Sequence, residues 1–143
     1  MKIKILPWVL VVFWMGLIFF FSHQQATVSN GLSSGITEAI VEIVNMMAPD
    51  NDVILNQGSF NFIIRKSAHF GVYLVLGLLV SNGLIYSNKS KKKVIILALF
   101  ICVLYAISDE IHQLYVPGRS GQVSDVLLDS TGSLVGILLM NTI

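Results

Sequence analysis

From Ser67 to Tyr86 the chain carries no formal charge, and His69 is the one histidine in that run. Crossing ~30 Å of hydrocarbon at ~1.5 Å of rise per residue takes about 20 apolar residues in a helix, so this run is long enough to span a bilayer. Three further apolar runs accompany it: Ile5 to Phe21, led by Lys2 and Lys4; Val94 to Ser108, which ends on Asp109 and Glu110; and the stretch from Val126 onward, with Asp129 inside it. Composition agrees. The chain is 55% hydrophobic and 12% charged, against about 25% charged in soluble domains, and its mean hydropathy is +0.78. A disordered protein, a nucleic-acid binder and an ordinary water-soluble domain are excluded. The lone Cys102 lies in an apolar run, so there is no disulfide framework and no thiolate metal site.

Charge placement predicts the topology. Six of the nine basic residues are Lys2, Lys4, Lys89, Lys91, Lys92 and Lys93, with no acidic residue among them. The positive-inside rule puts the N-terminus and the 87–93 loop in the cytoplasm. Threading four spans (about 5–21, 67–86, 94–113 and 124–142) then places 22–64 and 109–125 outside and the C-terminus inside. All eight carboxylates fall on the outer side. The lysines before the first apolar run resemble a signal peptide, but no small-x-small cleavage site follows, so the segment is expected to be retained. Pro7 suits a first helical turn. Trp8 and Trp14 read as bilayer-facing or interfacial anchors, and His23 as a solvated loop residue. Between spans one and two, Ile36, Ile40, Ile43, Val44 and Met47 recur at helical spacing opposite Glu38, Glu42 and Asn45, and Pro49-Asp50 ends the pattern. This predicts an external amphipathic helix, either lying on the leaflet or capping the bundle. The expected fold is therefore all-α: a polytopic four-helix transmembrane bundle in a single domain, with that helix outside it.

The third and fourth spans reach membrane length only if their charged residues belong to them. Val94 to Ser108 gives ~22 Å of helix, and extending it through Asp109, Glu110, His112 and Gln113 makes a full span. The same argument draws Asp125 and Asp129 into the fourth. Three helix ends then meet at one outer depth with Arg65, Lys66, His69, Asp109, Glu110, His112, Gln113, Asp125 and Asp129. Arg65 and His69 are one turn apart, as are Asp109 and Gln113, and Asp125, Asp129, Gly132 and Gly136 form a stripe. The turn-rich link 115–121 adds Arg119. Arg65, Lys66 and Arg119 can neutralise the carboxylates and lock three helices together. Buried ion pairs add little over apolar packing, however, and ionisable groups at membrane depth are functional by default. A functional site is the expectation. The small-residue pattern Gly132 to Gly136 predicts close helix packing within the chain.

The order Arg65-Lys66-Ser67-Ala68-His69-Phe70-x-x-Tyr73, Ser108-Asp109-Glu110-x-x-Gln113, Pro117-Gly118-Arg119-x-Gly121-x-x-x-Asp125-x-x-x-Asp129-x-x-Gly132 resembles the VanZ-like family of small bacterial membrane proteins. Phe21-Ser22 followed by Gln24 or Gln25 resembles the end of its first helix, so the likeness covers nearly the whole chain. It implies a multi-pass, four-span protein of the bacterial cytoplasmic membrane, and the founding member is associated with resistance to the lipoglycopeptide teicoplanin. The recurrent polar positions of the family fall here on Arg65, Lys66, His69, Asp109, Glu110, Gln113, Arg119, Asp125 and Asp129.

Two chemistries fit these residues. In the first, Arg65, Lys66, His69, Gln113 and Arg119 bind the anionic headgroup of a membrane lipid or a lipid-linked cell-wall precursor, with Gly118 and Gly121 admitting backbone N–H groups to the anion. In the second, His69, Asp109, Glu110, Asp125 and Asp129 are catalytic candidates of a lipid-headgroup hydrolase or transferase, with His69 paired to Asp109 or Glu110. A divalent metal held by His69, Asp109, Glu110, His112, Asp125 and Asp129 is opposed by the three cations nearby, so neither metal nor cofactor is expected. The sequence has no HExxH, no Gly-x-Ser-x-Gly around Ser120 and no cysteine nucleophile near the site. Nucleic acid is not an expected partner.

Overall fold

A computed structural model describes residues 5–24, 26–47 and 57–142. Among the described residues there are five α-helices and no strand: α1 (Leu6–Ser22), α2 (Ala26–Met47), α3 (Gln57–Tyr86), α4 (Lys91–Gln113) and α5 (Val123–Thr142). Three of them contain stretches long and apolar enough to cross a membrane, Phe60–Tyr86, Lys91–Gln113 and Val123–Thr142. The fourth apolar helix, α1, has 17 residues, or ~25 Å at ~1.5 Å per residue. As the span-length argument requires, Asp109 to Gln113 close α4, and Asp125 and Asp129 lie inside α5. Lys2, Lys4, Pro49, Asp50 and Asp52 lie outside the described residues, as do the side chains of Val44, Asn45 and Met47.

Helix α3 differs from expectation at its start. It does not begin after Arg65-Lys66 but ten residues earlier, at Gln57, and at ~45 Å it exceeds one bilayer core. Phe60, Phe62, Ile63 and Ile64 carry the apolar pattern through this turn. The Lys66 ammonium lies 5.2 Å over the Phe62 ring and pairs with Asp125 on α5, so the charge finds partners without ending the helix.

Helix α2 also begins earlier than its amphipathic pattern, at Ala26 rather than near Ile36. It is held to α3 by polar groups: the Thr37 hydroxyl bonds to the Asn61 side chain, and the Asn61 amide donates to Ser34 Oγ at 3.2 Å. Thr37 and Ser33 are buried, whereas Ile36 and Ile43 stay exposed. Ile43 is therefore not packed into the bundle, while Ile40 is half-buried and Ile36 is only loosely covered.

The centre of the fold is α3 against α5. A Cβ at Gly136 would overlap the Leu74 carbonyl oxygen, one at Gly132 the Phe70 carbonyl, and one at Gly77 the Ser133 carbonyl, so the two backbones touch where glycine permits it. Ser133 Oγ donates to the Tyr73 carbonyl at 3.2 Å across the same seam. Helix α4 completes the core with a stripe of small residues at four-residue spacing, Val94, Ala98, Cys102 and Ala106, all fully buried. Its opposite face, Ile96, Phe100, Leu104, Ile107 and Ile111, is exposed.

The tryptophans of α1 do not face outward as expected. Trp14 donates its indole N–H to the Val72 carbonyl at 2.9 Å, Trp8 donates to Ser87 Oγ at 3.4 Å, and the Trp8 ring lies over Gly83. Residues of α1 that do face out are Val9, Val12, Phe13 and Phe20. Asn88 turns α3 into α4 with φ of 57°, a backbone region that asparagine tolerates. The Lys89–Lys93 turn therefore sits at one end of the bundle, and the ends bearing Arg65, Asp109 and Asp125 at the other.

Candidate functional site

The buried stripe of α4 continues from Ala106 into Asp109, Glu110 and Gln113, so the periodicity that buries Val94, Ala98 and Cys102 also turns two carboxylates inward. On α5 the same logic buries Asp129 with Gly132, Ser133 and Gly136. Oxygens of Asp109, Glu110 and Asp129 lie within 4.8 Å of one another, and the three residues are 3%, 5% and 0% exposed. The Tyr73 hydroxyl of α3, fully buried, sits close enough to Asp109 and Asp129 to interact with both charges.

Each carboxylate has a different local partner. Glu110 Oε2 accepts the Gln122 backbone N–H at 2.8 Å, fixing the link to the end of α4 just before α5 begins. Gly121 lies so close to the Glu110 carbonyl that a Cβ there would come to 2.7 Å of its oxygen. Asp109 Oδ2 accepts from the Gln113 amide at 3.4 Å. Asp129 Oδ1 stands 3.6 Å from His69 Nδ1. The remaining oxygens, Asp109 Oδ1, Glu110 Oε1 and both of Asp129, are buried without a hydrogen-bond partner.

Several expected pairings come out differently. His69 faces Asp129 rather than Asp109 or Glu110. Lys66 does pair with a carboxylate, Asp125, as the neutralising arrangement anticipates, whereas Arg65 Nη1 donates to Asn30 Oδ1 of α2 at 3.4 Å. Gln113 backs a carboxylate and is buried. His112 is turned away from the cluster: its Nε2 meets His23 Nδ1 at 3.1 Å, with the Phe19 ring 4.4 Å from the His112 ring. His23 is exposed just past the end of α1, as expected, and in addition docks that end on α4. Glycines 118 and 121 have distinct backbone roles. Gly118 supplies a turn with φ of 77°, and Gly121 supplies close contact with α4.

A cavity of about 310 Å³ opens beside the cluster between α1, α2 and α3, at the small end of ligand-sized pockets. Its walls are apolar: Trp14, Leu17, Ile18 and Phe21 of α1, Leu32 and Ile36 of α2, and Ile64 and Val72 of α3. One end is polar, with Arg65, His69, Tyr73, Asp109 and Arg119. Among the described residues neither guanidinium is ion-paired with a carboxylate. Arg119 is half-buried. Burial, then the neighbouring Arg65 charge, hold its basicity below the ordinary arginine value, against the opposing pull of Asp109, Glu110 and Asp125. Sequence reasoning did not find the contribution of α1 and α2 to this cavity. Leu32 and Ile36 share a helical face, but nothing in their spacing says which neighbour they line.

Comparison with curated proteins and with solved structures finds no match. The arrangement is nonetheless built on the residue series Arg65 to Tyr73, Ser108 to Gln113 and Pro117 to Gly132, brought from three helices and one link to a single end of an apolar helical protein. The VanZ/LLP1 family profile matches residues 7–143, and the chain belongs to that family.

Proposed function

We propose that this VanZ-like membrane protein binds an anionic amphiphile in the cavity between α1, α2 and α3, taking its headgroup between Arg65 and Arg119. The observation that carries this reading is the cavity itself, apolar along its length and ending on two guanidinium groups, with Arg65 close enough that its charge adds to burial in lowering the basicity of Arg119. An anionic phosphate accepts parallel N–H bonds from a guanidinium fork and relieves the repulsion between two of them. The apolar walls suit the first part of an acyl or prenyl chain. Lipid-linked ligands of this kind are membrane phospholipids and pyrophosphate-linked cell-wall precursors.

In this reading α1 is the fourth span, with Val9, Val12 and Phe13 toward lipid, and the exposed Ile43 of α2 rests on the outer leaflet. Lysines 89, 91, 92 and 93 sit at the bundle end opposite the cavity, so the positive-inside rule directs the cavity outward and both termini to the cytoplasm. Occupying a surface precursor there lowers sensitivity to lipoglycopeptides such as teicoplanin. Topology is checked by cysteine labelling in intact cells, where the buried Cys102 gives no background. Ser120→Cys reacts with an impermeant maleimide and Asn88→Cys only after permeabilisation. The reverse pattern overturns the orientation.

Binding is tested with the purified protein in nanodiscs against labelled phosphatidylglycerol and a labelled undecaprenyl-pyrophosphate precursor. Stoichiometric retention without product supports a binding protein. A second reading is favoured by the buried acids and by the His69–Asp129 contact, namely a headgroup hydrolase or transferase with a histidine–carboxylate pair. Its mark is turnover of the labelled lipid that His69→Ala abolishes.

A further inference from the structure

We propose that Asp109, Glu110 and Asp129 form a binding site for a hard divalent cation such as Mg2+, Ca2+ or Mn2+. This goes beyond the amphiphile reading and does not depend on it. Three acidic side chains near one another are not in themselves a site. Here each offers an oxygen within 4.8 Å of the other two, and the three belong to the buried stripes of two different helices. Asp129 is fully buried with neither oxygen hydrogen-bonded, Oδ1 standing 3.6 Å from His69 Nδ1, and Asp109 Oδ1 and Glu110 Oε1 are buried without a hydrogen-bond partner too. The Tyr73 hydroxyl supplies a further pointer. It is fully buried, interacts with Asp109 and Asp129, and has no hydrogen-bond partner at standard distance and angle. Buried polar atoms in a folded protein are otherwise nearly always paired.

The three cations that argue against a metal form no direct ion pair with this triad among the described residues. Lys66 is taken by Asp125, Arg65 reaches Asn30 on α2, and Arg119 makes no ion pair with the three acids among the described residues. A single divalent ion would replace all three missing partners. The spacing suits it: oxygens on opposite sides of a cation with bonds of ~2.1 to 2.6 Å stand about 4.2 to 5.2 Å apart, and neighbouring ones closer. An all-oxygen donor set selects a hard cation over zinc or copper. His69 Nδ1, at 3.6 Å from Asp129 Oδ1, is placed to orient that carboxylate without itself binding the ion. Asp109 and His69 also line the cavity, so an ion held by the triad would have an entry path.

The test is Mn2+ binding to the full chain in detergent, after EDTA treatment and without added lipid, read by electron paramagnetic resonance, with Mg2+ and Ca2+ as competitors. One Mn2+ per chain is expected, displaced by Mg2+ or Ca2+, with at least tenfold weaker binding in Asp109→Asn, Asp129→Asn and Glu110→Gln. Glu110→Gln guards against misfolding, because the amide oxygen can still accept the Gln122 N–H. Glu42→Gln, exposed on α2 and outside the triad, keeps wild-type affinity. Absence of stoichiometric binding, or binding undiminished in a folded Glu110→Gln protein, overturns the site. Loss of lipid binding with Mn2+ binding intact would overturn the amphiphile reading alone, and the converse result the cation site alone.

Discussion

Gly136→Ala is expected to destabilise the protein more than any other single methyl group added to a helix glycine. The added carbon would overlap the Leu74 carbonyl oxygen and press on the Leu78 amide nitrogen. These are backbone atoms of α3 that no rotamer change can move aside. Relief requires α5 to back away from α3, opening the Ser133–Tyr73 contact and the packing of Ile137 with it. Overpacking of this kind costs about 3 kcal/mol, on the order of 10 °C in thermal midpoint for a chain of this size. Gly71→Ala is the control on the same pair of helices, since nothing lies within 4 Å of a Cβ at that position. It should leave the midpoint unchanged or raise it, alanine being the better helix former. Thermal unfolding in detergent, followed by tryptophan fluorescence, measures both. Equal midpoints for the two variants would mean that the α3–α5 seam does not carry the fold.

The Gly132 to Gly136 pattern was readable because close backbone approach leaves a compositional mark, small residues one turn apart. The span lengths were readable for a similar reason. A 15-residue apolar run cannot cross hydrocarbon, so Asp109 and Glu110 had to belong to α4 whatever their charge. Where the chain's own spacing decides the answer, sequence suffices. It did not suffice for the start of α3, because a cationic pair looks like a membrane boundary until Lys66 is seen to lie on Phe62 and reach Asp125. Nor did it for α2, whose first turns contain serines, Gly31 and Gly35. Their intrinsic propensity argues against helix, and the polar contacts of Thr37 and Asn61 with the neighbouring helix outweigh it.

Site composition and site pairing differ in the same way. Helical periodicity says that Asp109, Asp129 and His69 face inward, because each lies on a stripe continued by small or apolar residues. It does not say which of them meet. That depends on the relative rotation of α3 and α4 around α5, set by the glycine contacts and by Trp14 docking on the Val72 carbonyl. The tryptophans show the limit plainly. In lipid an indole gains little from facing the protein by hydrophobicity alone, so its position follows from one acceptor, which spacing along α1 does not reveal.

Arg119→Ala is expected to weaken retention of the anionic lipid about 100-fold, while Lys93→Ala, at the opposite end of the bundle, leaves it unchanged. Truncating one partner of a partly desolvated charge pair costs about 2–5 kcal/mol, and each ~1.4 kcal/mol is tenfold in affinity. Arg119 is half-buried at the polar end of the cavity and already carries the strain of a like charge at Arg65, so an anion between them gains from both. Arg119→Lys should recover only part of the loss, because an ammonium offers a point charge where the guanidinium offers two parallel donors. The Arg65→Ala/Arg119→Ala double variant should lose less than the two single losses multiplied together, the mark of two groups serving one ligand. Equilibrium binding of phosphatidylglycerol at low and high potassium chloride checks the electrostatic origin. Partial burial shields the contact, so affinity should fall with salt less steeply than for a surface patch of equal charge. Wild-type affinity in Arg119→Ala would place the headgroup away from this end of the cavity.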